Sequence, residues 1–200
     1  TDDSLGLAGR PGTPLSRQEC RCSGCGGCSA GRSAVERPAD IPAVRSVYKQ
    51  AFGRLQEAKL AERLLMSCNT VESLVAEDKG RIVGHIMFSP VTIDSWCGTV
   101  EGMGLAPVAV LPEYQKQGVG SRLVNQGLSI LRAKSCPFVV VLGHPDYYPR
   151  FGFEPASWHG MKSQWDDVPD DAFFVIIMDR KAMEGVSGTV KYRDEFSGGV

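Results

Sequence analysis

The sequence predicts an α/β domain, an α+β arrangement in which one mixed sheet is covered by helices. Three observations carry that expectation. Along the chain the periodicities run helix, helix, hairpin, strand, helix, strand. Two extended runs, GLAPVAVL (104–111) and FVVVL (138–142), are almost wholly apolar and therefore belong at the centre of a sheet. Finally, 200 residues with 42% hydrophobic and 22% charged side chains supply a core for one ordinary domain plus a tail.

Residues 1–33 stand apart. They hold seven glycines and only three large apolar side chains, Leu5, Leu7 and Leu15. Ordering a backbone costs about 1–2 kcal/mol per residue, which such a segment cannot offset by burial, so it reads as a disordered Gly/Cys-rich tail. Cys20, Cys22, Cys25 and Cys28 crowd into it. Four thiolates can surround a zinc ion, but structural sites draw two pairs from separated knuckles, and no second pair or nearby His follows. A thiol-rich tail without metal is the expectation. Seven cysteines at irregular spacing do not form a secreted disulfide framework and point to a reducing, cytoplasmic setting. The chain starts with Thr, and its opening residues contain no hydrophobic stretch of the secretory kind.

The domain is expected at 34–181. RPADIPAVRSVYKQAF reads as a helix: Asp40 can cap it, Pro42 suits the first turn, and Ile41, Val44, Val47, Tyr48 and Phe52 recur at helical spacing. A second helical piece, 57–65, follows the break at Gly53. Extended runs on either side of Asp78-Lys79-Gly80-Arg81 read as a hairpin. GLAPVAVL is a central strand. Residues 119–132 form a helix with Leu123, Leu128 and Leu131 on one side, FVVVL is a buried strand, and FFVIIM near residue 175 is another. Residues 182–200 are a C-terminal extension with room for one added edge strand.

Charge excludes whole classes of function. Lys and Arg number 22 against 23 Asp and Glu, a net charge of -1, so binding nucleic acid by bulk cationic charge is excluded. No run approaches the ~18 apolar residues of a membrane helix.

The informative segment is VAVLPEYQKQGVGSRLV. A buried strand ends at Val110, Pro112 stops it, and Gln115-Lys116-Gln117-Gly118-Val119-Gly120 leads into a helix. Free amides and the dipole at that helix start suit a phosphate, and Gly118 and Gly120 let the anion approach. Lys116 and Arg122 can add charge. A plain strand-to-helix turn would use the same residues. A P-loop is excluded because GVGSRL lacks its lysine. A dinucleotide fingerprint is excluded because Leu123 stands where a third glycine is required.

The remaining pattern, strand, Gln115-x-x-Gly118-x-Gly120, helix, strand, resembles the GNAT superfamily of acyl-CoA-dependent N-acetyltransferases. Tyr148-Pro149-Arg150-Phe151-Gly152-Phe153 looks like a second signature of that family. The longer VLGHPDYYPRFGFEPAS is similar to its YhbS-type branch. The resemblance covers about residues 35–180. It implies a mainly antiparallel sheet, splayed open at the cofactor site, and acetyl-CoA as co-substrate with no metal. It implies that the backbone of Val108, Ala109 and Val110 receives the pantetheine arm, and that Gln115, Lys116, Gln117, Gly118, Val119, Gly120 and Ser121 hold the diphosphate. Gly102, Gly104 and Pro107 fit the irregular strand at which the family's sheet opens.

The implied reaction is attack of a neutral primary amine, on a small molecule, peptide or protein, upon the acetyl thioester. Tyr148 matches the family's proton donor to the departing thiolate; aromatic packing beside Phe151 and Phe153 is its other reading. Tyr147 is the weaker candidate. Glu101 is the candidate base, provided burial lifts its pKa, and is otherwise a solvated strand-end carboxylate. His85 reads as a strand histidine satisfied by a neighbour, His144 as a pocket candidate, and His159 as structural. Val141 stands where many members carry an Asn, which weakens the cofactor grip on that side. Loops 53–57, 93–98 and 161–171 are placed to meet the acceptor, and WDDVPDD is acidic enough to attract a cationic amine. Homodimers are common in the superfamily. The competing function is an acyl-CoA-binding sensor without turnover.

Overall fold

The computed structural model describes residues 32–53, 56–68, 70–96 and 98–197. The expected tail, with its four clustered cysteines, lies outside them except for its last two residues. Strands are β1 (Arg32–Val35), β2 (Glu72–Asp78), β3 (Arg81–Ser95), β4 (Gly98–Val110), β5 (Phe138–Leu142), β6 (Glu154–Pro155), β7 (Met161–Ser163), β8 (Phe173–Ile177) and β9 (Gly188–Tyr192). Helices are α1 (Ile41–Phe52), α2 (Gln56–Ser67) and α3 (Val119–Ala133). One sheet contains all the strands, in the order β1-β2-β3-β4-β5-β8-β6, with β9 beside β3 and β7 beside β9. Pairing is antiparallel except at β4–β5 and β7–β9.

Local chemistry explains most of these elements. Lys79 and Gly80 both take positive φ, 48° and 82°, which makes the two-residue turn whose twist matches the β2–β3 hairpin. α1 has Pro42 in its first turn and stops at Gly53 in the left-handed conformation. Asp40 does not cap α1 as expected. Its carboxylate turns back to accept from the Arg37 backbone N–H at 2.9 Å and to pair with the Arg37 guanidinium, closing the preceding turn 38–40 instead.

Two faces of the sheet are distinguished by register. Gly84, Ile86 and Phe88 of β3 face α3: a Cβ on Gly84 would lie 3.2 Å from Leu123 and Val119, and one on Gly127 only 2.2 Å from Phe88. The alternate residues His85, Met87, Ser89 and Val91 face α1, where Tyr48 Oη pairs with His85 Nδ1 at 2.5 Å. His85 is wholly buried. Its Nε2 meets Ser73 Oγ at 2.7 Å and Glu36 Oε2 at 3.0 Å, so it is a satisfied core histidine.

The C-terminal extension differs from expectation in position. β9 is not an edge strand, because it lies between β3 (Val91↔Tyr192) and β7 (Ser163↔Val190). Glu195 beyond it bonds to Ser67 of α2 and Arg193, and Phe196 is buried. The extension is thus part of the core.

Helix propensity favours Ala over Gly by about 1 kcal/mol at an interior helix position. At Gly127 the contact with Phe88 outweighs it. Gly127→Ala should lower unfolding stability by about 1–3 kcal/mol, read as a reduced midpoint in urea; a raised midpoint would mean that Phe88 moves aside freely.

Candidate active site

β4 and β5 are hydrogen-bonding partners for three residue pairs only, Met103↔Val139, Gly104↔Val140 and Leu105↔Val141. β5 ends at Leu142, whereas β4 runs on to Val110. The register with β3 slips at the same place. Ile86 faces Val108 and Phe88 faces Leu105, which sets Ala106 and Pro107 against the single residue Met87. Such a bulge bends its strand, and here it carries the end of β4 away from β5. On its other side β4 stays paired, and Leu111 N–H donates to Val83 C=O at 2.9 Å. Antiparallel alternation then turns the amide groups of Ala109 toward β3 and those of Val108 and Val110 toward the gap. The backbone groups of Ala109 are therefore engaged with β3 and do not face the gap.

Beyond Leu111 the chain makes a tight turn over Pro112–Tyr114, fastened to the β2–β3 hairpin by Tyr114 Oη donating to Asp78 Oδ2 at 3.2 Å and by the Arg81–Glu113 ion pair at 3.0 Å. Gln115 spends its side chain on the turn, Nε2 donating to Val110 C=O at 3.0 Å, and Gln117 Nε2 donates to Glu113 C=O at 2.6 Å. These two side chains shape the loop. What the loop offers is backbone. Gly118 begins α3 with φ 80° and no side-chain cap, and the first helical bond is Arg122 N–H to Gly118 C=O. The amides of Val119, Gly120 and Ser121 consequently have no intrahelical acceptor. Val119 anchors this end through its buried side chain, while Lys116 is exposed at φ 58°. Arg122 Nη2 is buried without a hydrogen-bond partner among the described residues. Helical side chains lean toward the N-terminus, the end of α3 at which these amides lie.

Tyr148 approaches from the β5 side. It is buried, its ring packs on Phe153 and Phe174, and a Cβ on Gly143 would lie 2.1 Å from its Cε2. Burial raises its phenol well above the ordinary range. Tyr147, expected to be the weaker candidate, is the residue that touches the loop, because a Cβ on Gly120 would lie 2.8 Å from its hydroxyl. The Arg150 guanidinium stacks on the Tyr147 ring at 3.9 Å and adds a cation beside the cradle. Composition did not single out Arg150; only its stacking does.

The remaining candidates fall elsewhere. Glu101 is opposite Thr92 with an exposed side chain, so the burial its role as a base requires is missing. His144 is exposed, and His159 bonds to Glu154 at 2.8 Å. Val141 is wholly buried. A large open groove of about 590 Å³, lined by Arg37, Gln50, Glu77, Arg81 and Leu111 among others, contains none of the loop, Tyr147 or Tyr148. Among the described residues no group of His, Cys, Asp and Glu is arranged to hold a metal ion.

The buried phenols Tyr48, Tyr148 and Tyr192 hold their protons above the pH at which a free tyrosine ionises, near 10. The unfolded chain releases those protons first, so the stability from their burial is complete below pH ~10 and is lost as pH rises beyond it. Absorbance titration should show Tyr148→Phe leaving the phenolate step near pH 10 unchanged in amplitude. A step smaller by one tyrosine would mean that Tyr148 ionises like an exposed residue.

Comparison with known proteins agrees with this geometry. The acetyltransferase (GNAT) domain family matches residues 36–156. The N-acetyltransferase YhbS of Escherichia coli (strain K12) is 35% identical over 164 residues, which is 82% of this chain and 96% of YhbS. YjhQ of the same organism is 44% identical over 120 residues, 59% of this chain and 66% of YjhQ. The crystal structure of E. coli YhbS in complex with CoA superposes with a TM-score of 0.79 at 34% identity, covering 86% of this chain and 94% of YhbS. A Brucella melitensis GNAT acetyltransferase in complex with acetyl-CoA gives 0.66 at 32% identity, covering 82% and 96%. No helix of the described residues is long and apolar enough to cross a membrane. With over half its length inside the domain match and a relative above 30% identity along most of the chain, this protein belongs to the GNAT family of acetyltransferases.

Proposed function

We propose that the chain transfers an acetyl group from acetyl-CoA to a primary amine by direct attack. One observation carries this reading: a β4 edge that has left its strand partner leads straight into the uncapped, glycine-lined start of α3. An amide-containing arm fits the first, and a diphosphate fits the second. In this reading the backbone of Val108 and Val110 holds the pantetheine arm. The amides of Gly118, Val119, Gly120 and Ser121 hold the diphosphate, helped by the charge of Arg122, Lys116 and Arg150. Gln115 and Gln117 act indirectly, by fixing the loop. The relatives solved with CoA and acetyl-CoA support the assignment.

Acetyl transfer leaves coenzyme A as a thiolate and the amine with a proton to lose. In this reading Tyr148 is the donor to the thiolate. A thiol has a pKa near 8.5 and a phenol one near 10, so complete proton transfer from a phenol is uphill by about 2 kcal/mol, and by more once burial raises the phenol. The hydroxyl therefore acts chiefly as a hydrogen-bond donor that stays protonated throughout the physiological range. Glu101, being exposed, accepts the amine's proton only if the bound acceptor covers it; solvent is the other route. A reducing, cytoplasmic setting belongs to the same reading, supported by the free thiols of Cys68 and Cys136.

The test is coenzyme A release across polyamines, aminoglycosides, amino acids and peptide N-termini. Tyr148→Phe should lower turnover about 100-fold or more while leaving the dissociation constant for CoA within about twofold. Unchanged turnover removes its role. Replacing Gly118 and Gly120 together by Val should abolish the heat of CoA binding; retained binding would overturn the cradle.

A further inference from the structure

Tyr192 lies outside the 36–156 family match and outside the residues given a role above. Its ring starts on β9, crosses β3 and reaches β4. Its Cε1 comes within 2.8 Å of where a Cβ on Gly104 would stand, beside Val91 Cγ1 at 2.9 Å. That ring edge lies against Gly104, one residue before the last β4–β5 pair. Gly104↔Val140 is the second-last pair before the gap. The ring is held in place by Trp165 at 4.9 Å and Phe196 at 5.2 Å, and its backbone N–H donates to Gln164 Oε1 at 2.8 Å.

Tyr192 Oη is buried and has no hydrogen-bond partner among the described residues. Ser89 Oγ is in the same condition, and Ser89 is the direct cross-strand neighbour of Gly104 on the same face. Two buried hydroxyls without partners on residues that both neighbour Gly104 are unusual, because a dry interior penalises an unmade hydrogen bond. The spot wants an acceptor. Tyr148 comes to the same gap from the other face, since it packs on Phe174, which registers through Val141 and Leu105 with Phe88 on the α3 side. The two phenols are close enough that charge on Tyr148 would hinder ionisation of Tyr192.

We propose that Tyr192 is the group that recognises the acetyl moiety, its hydroxyl donating a hydrogen bond to the carbonyl oxygen of the bound acetyl thioester. The proposal rests on the acetyl-CoA reading above. No covalent bond to the tyrosine is made or broken. As the amine attacks, electron density moves onto that oxygen, and a donor already in place stabilises it more strongly than it stabilised the neutral carbonyl. Tyr148 then serves the sulfur and Tyr192 the oxygen, from opposite faces of the sheet.

The test needs no knowledge of the acceptor. Calorimetry on the full chain compares acetyl-CoA with CoA. Tyr192→Phe should weaken acetyl-CoA about three- to tenfold, the range of one neutral hydrogen bond, with CoA affinity unchanged within twofold. In wild-type protein carrying 13Cζ-labelled tyrosine, the Tyr192 resonance, assigned through its contact with Trp165, should move on adding acetyl-CoA and stay in place with CoA. Equal loss of both ligands in the variant together with an identical wild-type response to both overturns the proposal, as does a variant that still binds acetyl-CoA normally. Wild-type protein that binds neither ligand overturns the acetyl-CoA reading itself, a result visible before any substitution is made.

Discussion

Everything at this site depends on β4 keeping one neighbour while losing the other. A strand in mid-sheet normally has both edges satisfied, because unpaired backbone groups are costly away from water. Here the two-against-one register at Ala106 and Pro107 opens one edge while β3 secures the opposite one. The opening needs support from below. Tyr48, fully buried in α1, stands under the bulge with its hydroxyl 3.5 Å from Pro107 C=O, and the chain His85, Ser73 and Glu36 fixes that phenol in turn. The histidine thus contributes rigidity where the strand leaves the sheet.

Placing an anion cradle at the end of such a strand separates two tasks. The loop's polar side chains, Gln115 and Gln117, are consumed by internal carbonyls and hold its shape. In the proposed reading, recognition is left to amides, which carry no rotamer entropy and point along a helix axis whose dipole favours negative charge. Arg122 and Arg150 are arranged differently. Arg122 is half-buried with its Nη2 unpartnered among the described residues, and Arg150 stacks on Tyr147. A guanidinium held by packing alone can meet an incoming phosphate without first giving up a carboxylate.

The three helices and strands β2 to β5 and β8 were legible in the chain because they follow from periods of 3.6 and 2.0 residues, whereas β1, β6 and β7 are too short to carry a period; the Lys79-Gly80 turn and Gly118 were legible because few residues tolerate their positive φ. Asp40 was misread because its carboxylate has two nearby partners in competition, and only the folded backbone shows that Arg37 prevails over the α1 amides. Glu101 was read from its place at the start of a strand, whereas burial is a property of neighbours distant in sequence, and it has too few.

The sequence by itself determined the order of the three helices and of strands β2 to β5 and β8, the central position of β4 and β5, the glycine-shaped helix start and the family to which these motifs belong. Tertiary structure alone decided which amides face the gap, that Tyr147 rather than Tyr148 meets the loop, and that Tyr192 reaches β4 from a strand 81 residues after Leu111. The physical reason is range. Backbone preference and periodicity act over a few residues and are written locally, whereas burial, cross-strand register and unmet hydrogen bonds arise only when remote segments close upon one another.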